Sequence, residues 1–106
     1  MAVRVTVGPA AVRDLNLIEA FETLIWRPTR AKAIVLSLLK RTYALRQHPR
    51  MGMARPTDLP LEIRTLLLKR VRCYYYISGD EIVVFGYFDV RQDPGKEVGL
   101  YARVNS

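Results

Sequence analysis

The stretch Arg70–Pro94, RVRCYYYISGDEIVVFGYFDVRQDP, decides the fold. Residues alternate through Arg70–Ile77, with Val71, Cys73, Tyr75 and Ile77 on one side and Arg70, Arg72, Tyr74 and Tyr76 on the other. Successive side chains of a strand point to opposite faces, so this pattern predicts a strand with one apolar and one cationic-aromatic face. Ser78-Gly79-Asp80 has turn chemistry, because Gly tolerates positive φ and Asp bonds to nearby backbone. Glu81–Phe88 (EIVVFGYF) returns as a run apolar enough to be buried on both faces. The expectation is a hairpin at the centre of a sheet.

Working outward, Glu62–Leu68 (EIRTLLL) is short and apolar enough for another strand, turning into the hairpin over Leu66–Arg70. Met53–Pro60, with Pro56 and Pro60 flanking Asp58, reads as a loop, and His48-Pro49-Arg50-Met51-Gly52 as a helix stop. Before that stop, Ala31, Ile34, Val35, Leu38, Leu39, Thr42 and Leu45 keep helical spacing from Thr29 or Arg30 to Gln47, with Arg30, Lys32, Lys40, Arg41 and Arg46 largely off the stripe. An earlier helix is expected over Ala10–Ile25, its stripe Leu17, Phe21, Leu24 and Ile25 widened by Leu15 and Ile18. Arg27-Pro28-Thr29 separates the two, since a residue before proline avoids the α region. So short a connection predicts an antiparallel helix hairpin. Val3–Val7 alternates as a half-buried strand that Gly8-Pro9 ends. The predicted class is α+β: an N-terminal strand and a two-helix hairpin packed on a mostly antiparallel sheet of about four strands. Residues 1–106 are expected to form one domain, with 95–106 (GKEVGLYARVNS) a tail lacking sustained periodicity and packing through Val98, Leu100 and Tyr101.

Half the residues are apolar, which argues against global disorder. Apolar runs such as Ala33–Leu36 fall far short of the ~20 residues that cross a bilayer. The opening MAVRVTVGPAAV lacks signal-peptide organisation, so cytoplasm is the default. Cys73 is the single cysteine, cannot form an internal disulfide, and alternates onto the apolar face as a small buried hydrophobe. The net charge of +7 is concentrated: Arg27–Arg72 holds twelve Lys or Arg against Asp58 and Glu62, a surplus of +10, and the rest nets −3. Such a field attracts polyanions, whether nucleic acid, a ribosome or an acidic protein segment.

Two stretches carry a more specific signal: HPRMG closing the second helix, and LPLEIR followed at matching spacing by the Arg70–Pro94 hairpin. Over Val3–Pro94 the order of elements resembles the RelE/ParE superfamily, the toxins of bacterial type II toxin–antitoxin modules, which are associated with plasmid stabilization. Members typically show a proline–arginine–methionine–glycine stop, a tyrosine- and arginine-bearing strand, a short turn, an apolar strand and a basic ending. Val71-Arg72-Cys73-Tyr74-Tyr75, Ser78-Gly79-Asp80, Ile82–Phe85 and Asp89–Pro94 correspond here.

The resemblance implies one of three activities. RelE-like members are ribosome-dependent endoribonucleases that cut messenger RNA, which requires activation of a 2′-hydroxyl, cations around a pentavalent phosphate, and an acid for the leaving oxygen. Ile63 and Thr65 stand where that pattern has two lysines, Gln92 replaces an arginine beside Arg91, and Asp89 stands where other relatives have a histidine. The ribonuclease candidates are Arg72, Arg91 and Tyr101, the last only with a three-residue shift. His48, at a helix end, is a structural residue in this reading. ParE-like members instead bind and poison DNA gyrase without hydrolytic groups, and this branch fits the departures better. Its target-binding candidates are Arg64, Lys69, Arg70, Arg72, Tyr74 and Arg91. Tyr74 and Tyr76 form either part of that surface or packing under the helices. A degenerate toxin retaining only antitoxin binding is the third outcome. In each case the implied partner is a cognate antitoxin with an acidic, apolar tail in a hetero-oligomer. No cofactor or metal is implied.

Overall fold

In the computed structural model, which describes residues 3–92 and 94–105, the chain runs through strand β1 (Arg4–Val7), helices α1 (Pro9–Ile25) and α2 (Pro28–Tyr43), strands β2 (Met53–Arg55), β3 (Glu62–Leu68), β4 (Val71–Ser78) and β5 (Glu81–Asp89), and helix α3 (Pro94–Asn105). Asp93, part of the basic ending read from the sequence, lies outside the described residues. The five strands form one sheet in the order β1-β5-β4-β3-β2, so the β4–β5 hairpin is central as expected. All pairings are antiparallel except β1 with β5, where Arg4 to Val7 align with Glu81 to Val84.

Prolines set both helix starts. Pro9 and Pro28 occupy the first helical turn, where a missing N–H costs nothing and the fixed φ suits the helix. The helices pack on one face of the sheet over a core of Ala11, Leu15, Ile18, Leu38, Leu45, Val71, Cys73, Tyr75, Ile82, Val84 and Tyr87. The stripe expected on α2 faces inward as read, through Ala31, Leu38, Thr42 and Leu45. On α1 the expected stripe is corrected. Leu17, Phe21, Leu24 and Ile25 are exposed, Leu24 at 86%, while Ala11, Leu15, Ile18 and Glu22 face the sheet. Glu22 can turn inward because Arg91 meets it there at 2.5 Å. A buried carboxylate with a partner thus occupies a position that apolar counting assigns to the surface.

Three further elements differ from expectation. The loop over Met53–Pro60 begins with strand β2, paired Met53↔Thr65 to Arg55↔Ile63 as the fifth strand. The tail is helix α3, which covers the second face of the sheet. There Leu100, with Tyr101 and Val104 beside it, packs on Ile63, Tyr74, Phe85 and Phe88. The molecule therefore has three layers rather than two. The α2 stripe continues beyond Tyr43 only as a 3₁₀ turn, Ala44–Arg46.

β5 serves both faces through a bulge. Tyr74 pairs with Gly86 and Tyr75 with Val84, leaving Phe85 as the extra residue. Ile82, Val84 and Tyr87 thus face the helix hairpin, while Phe85 and Phe88 face α3. Past the bulge β1 no longer pairs with β5, and α1 takes over its edge. The Asp14 carboxylate accepts from the Tyr87 N–H at 3.0 Å, and Arg103 of α3 donates to Asp14 at 2.6 Å and to the Phe85 carbonyl at 3.0 Å. Gly86 permits this crossing, since a Cβ there would stand 2.9 Å from Leu100 and 3.0 Å from Arg103.

Candidate functional site

The sequence candidates separate into three places. The first is the helix-stop loop. Tyr75 reaches from β4 to donate to the Pro49 carbonyl at 2.7 Å and accept from the Gly52 N–H at 2.9 Å. Arg64 of β3 donates to the carbonyls of Gly52 at 2.6 Å and Arg50 at 3.1 Å, and to Glu62 at 2.6 Å. That Arg64 hydrogen bond is the main cause holding Glu62 below the usual carboxylate range, against its desolvation and with help from Arg50. The loop's carbonyls and N–H are thus paired by side chains in place of a regular ladder. All of the Arg64 contacts named here are within the chain.

The second place is the cationic-aromatic face of β4. It is not open. Arg72 donates to Glu97 of α3 at 2.6 Å, and the Tyr74 hydroxyl donates to the same carboxylate oxygen. Tyr101 meets Tyr74 edge-on at a centroid distance of 5.8 Å. Tyr76 and Phe85 stack obliquely beside them. Burial and the neighbouring Glu97 charge push the Tyr74 hydroxyl up to about 12, and burial pushes Tyr101 up as well. Both tyrosines are proton donors at neutral pH and neither is a base. The two positions matched to catalytic lysines, Ile63 and Thr65, are buried at 1% and 5% exposure. Arg72, Tyr74 and Tyr101 are therefore brought together, with Glu97 neutralising the cation.

The third place is a cleft of about 280 Å³ at the opposite end of the helix hairpin. It is bounded by the end of α1, one face of α2 from Arg30 to Arg41, the β3–β4 turn and the end of β5. Its floor is apolar, with Ile34, Leu38, Leu68 and Val71. Arg91 lies at its base, bound to Asp89 at 2.6 Å and Glu22 at 2.5 Å, with its guanidinium 4.9 Å from the Phe21 ring centre. Asp89, almost fully buried, is opposed by desolvation. Its bonds to Arg91 and the Arg91 N–H nevertheless hold it below the carboxylate range, and the charge of Arg70 adds to them. The hydrogen bonds that Arg91 donates to Asp89 chiefly raise the Arg91 pKa, so its charge is permanent.

Arg30, Arg41, Lys69 and Arg70 stand around the rim. Arg30 lies over Trp26 at 4.0 Å, a cation–π contact. Arg41, Lys69 and Arg70 make no ion pair among the described residues. Lys69 and Arg70 form the two-residue β3–β4 turn, tighter than the turn expected over Leu66–Arg70, with Lys69 at φ 59°. Of the predicted residues, Lys69, Arg70 and Arg91 thus meet at one cleft.

Trp26, Arg30 and Arg41 were missed as members of this cleft. Arg30 and Arg41 lie largely off the apolar stripe expected from the sequence, yet Arg30, Ile34, Leu38 and Arg41 follow helical spacing and line the cleft together. That spacing was the available signal.

Elsewhere, Cys73 is fully buried, and desolvation pushes its thiol up to about 12 despite hydrogen bonds with Thr42 and Tyr87. It is a packing residue. His48 is exposed at the end of the 3₁₀ turn, its N–H bonded to the Leu45 carbonyl. Among the described residues no group of three His, Cys, Asp or Glu side chains is placed to hold a metal ion, and no helix is long and apolar enough to cross a membrane.

Comparison with known proteins follows the same lines. Residues 5–93 match the family model described as ParE toxin of the type II toxin–antitoxin system, parDE. Among solved structures, the chain is similar to one of the chromosomal ParDE system from P. aeruginosa, at a TM-score of 0.71 and 22% identity, covering 83% of this chain and 96% of that one. It is also similar to one from the toxin–antitoxin complex RelBE2 of Mycobacterium tuberculosis, at 0.59 and 16%, covering 84% and 99%. A mutant E. coli toxin RelE in the free state aligns at 0.59 and 12%, covering 97% and 94%. No curated protein matches the chain.

Proposed function

Because the chain belongs to the ParE toxin family of type II toxin–antitoxin systems, we propose that it acts by binding DNA gyrase and stalling it, and that a cognate antitoxin in the same cytoplasm neutralises it. The observation that carries this reading is the state of the groups a ribonuclease would use. Arg72 is ion-paired with Glu97, Arg91 is held by two carboxylates, and Ile63 and Thr65 offer no cation. Phosphoryl-transfer catalysis needs cations aimed at the developing charge of the transition state. Cations already neutralised by carboxylates at 2.5–2.6 Å are poorly suited to that. Binding asks only for shape and charge. Lys69 and Arg70, exposed at the tip of a rigid hairpin, and Arg41 beside them supply the contacts in this proposal. Arg91 supports that surface from the base of the cleft, whereas Arg64, Arg72 and Tyr74 lie away from it.

The test is gyrase supercoiling and cleavage of plasmid DNA with increasing purified toxin. The expected result is loss of supercoiling with accumulation of linear, protein-linked DNA, reversed by the antitoxin. Unaltered gyrase at large molar excess of toxin refutes the reading.

One observation favours the alternative, ribosome-dependent messenger RNA cleavage. Arg72 and Tyr74 of β4 meet Tyr101 of α3 on one face of the sheet. In a programmed-ribosome cleavage assay, that alternative requires cutting by the wild type and its loss in the Arg72→Ala variant.

A further inference from the structure

Helix α1 is apolar on two faces. The inner one, Ala11, Leu15 and Ile18 with the paired Glu22, lies on the sheet. The outer one is Leu17, Phe21, Leu24 and Ile25, exposed at 65%, 46%, 86% and 48%. A rotation of the helix by roughly 100°, the step of a single residue, would carry much of this strip inward. Two polar anchors prevent that rotation. The Asp14 carboxylate accepts from the Tyr87 N–H at 3.0 Å and from Arg103 at 2.6 Å, and Glu22 accepts from Arg91 at 2.5 Å. Phe21 is steadied in turn, its ring centre 4.9 Å from the Arg91 guanidinium. The chain thus buries a carboxylate and leaves large apolar side chains outside, the reverse of what a helix with a single partner does.

From this arrangement we infer that the outer strip is a self-association surface, on which a second copy of the chain packs its own α1 antiparallel. The spacing is self-complementary. Leu17, Phe21 and Leu24 fall at i, i+4 and i+7, the rhythm of a helix–helix seam. With Leu17 opposite Leu24 of the second copy, a two-fold axis repeats the contact and sets Asp14 opposite Arg27 at each end. Charge argues against other occupants. The strip has no charged side chain, and α1 carries Arg13 against Asp14, Glu19 and Glu22, so a polyanion or an anionic lipid surface gains nothing there. To a second copy the same helix brings little charge, because Arg103 and Arg91 answer Asp14 and Glu22. Four such side chains make a patch on the order of 400 Å², a size at which the largest apolar patch of a monomer is often functional. Doubled across the axis and widened by flanking residues, it gives roughly 1,000 Å², the lower bound of a specific interface, so association in the micromolar range is expected. The inference does not depend on the gyrase reading.

Sedimentation equilibrium of the purified full chain without antitoxin, from low to high micromolar concentration and at raised salt, reads the association. Leu17 and Leu24 are exposed, so the variant Leu17→Glu/Leu24→Glu keeps the fold, and Val98→Glu on exposed α3 surface is the control. Cys73 is buried and is the only cysteine, so Leu17→Cys and Leu24→Cys proteins report the register by disulfide formation. The expected result is a monomer–dimer equilibrium that survives raised salt, is weakened on the order of 100-fold by the paired glutamates, and is unchanged in the control. When the two cysteine variants are mixed and oxidised, the disulfide between positions 17 and 24 should outnumber both like pairings. A chain that stays monomeric throughout overturns the inference. So does a dimer that raised salt dissolves, that the glutamates leave intact, or that forms no mixed disulfide. If the wild type is monomeric and the glutamates instead abolish gyrase inhibition or antitoxin binding, the strip belongs to that partner and the inference is wrong.

Discussion

Replacing Tyr75 by Phe removes one oxygen atom and with it the connection between the sheet and the loop that ends α2. The hydroxyl makes two bonds, accepting from the Gly52 N–H at 2.9 Å and donating to the Pro49 carbonyl at 2.7 Å, and the side chain is fully buried. Without it the buried Gly52 N–H has no replacement partner, a loss of about 1–3 kcal/mol, and the Pro49 carbonyl adds a smaller amount. The expected destabilisation is about 2 kcal/mol. For a domain of this size that lowers the melting temperature by about 8–16 °C. Gly52→Ala attacks the same point from the other side. Its Cβ would stand 2.7 Å from the Tyr75 hydroxyl and 2.8 Å from the Thr65 carbonyl, so the hydroxyl contact and part of the strain are shared between the two variants. The double variant is therefore expected to lose less than the sum of the singles, because the clash with the hydroxyl is gone while the clash with Thr65 remains. Urea denaturation of the four proteins at one pH provides the cycle, with Tyr76→Phe as a nearby tyrosine control expected to change stability by less than about 0.5 kcal/mol. A Tyr75→Phe protein as stable as the wild type, or strictly additive effects, would refute the claim that this hydroxyl pins the loop.

Other expectations follow from the same geometry. Leu100→Ala should cost about 2–4 kcal/mol by opening the α3 interface, and hydrogen exchange should show α3 amides losing protection before those of α1. Lys69→Gly relieves the positive φ and should leave stability unchanged or raise it by about 1 kcal/mol in thermal melts. Asp89 has a depressed carboxyl, so its stabilisation is complete above the ordinary carboxylate range and is lost as pH falls through its lower folded value. Melting temperature against pH should therefore fall on acidification in the wild type and fall less steeply in Asp89→Asn.

The hairpin was legible because alternation in Arg70–Ile77 and the Ser78-Gly79-Asp80 turn agree with one another, and α2 because its stripe repeats over four turns. α1 was legible as a helix but not in its orientation. Glu22, buried by its pairing with Arg91 some 69 positions later, hides the true inner face, and Leu17 and Leu24 advertise a false one. Nothing local marks α3. Gly95 and Gly99 lower its intrinsic helicity, and it forms because Leu100, Tyr101 and Val104 find Tyr74 and Phe85 on the sheet. β2 is three residues long and held by backbone pairing, so its side chains carry no pattern. At the cleft, the hairpin cations were visible in sequence, but Trp26, Arg30 and Arg41 join them only through the packing of α2 on the sheet.

The parallel pairing of the first strand with the last has a consequence for synthesis. Thr6 reaches Glu81, 75 positions later, so β1 has no partner until nearly the whole chain has left the ribosome. At about 5–20 residues per second, the interval is roughly 4–15 s. During that delay α1 and α2 have no completed sheet beneath them, and the Lys69–Arg70 turn is made before Asp89 and Arg91 arrive to set the cleft. The cleft proposed as the binding end is thus completed late in synthesis, with only α3 still to follow.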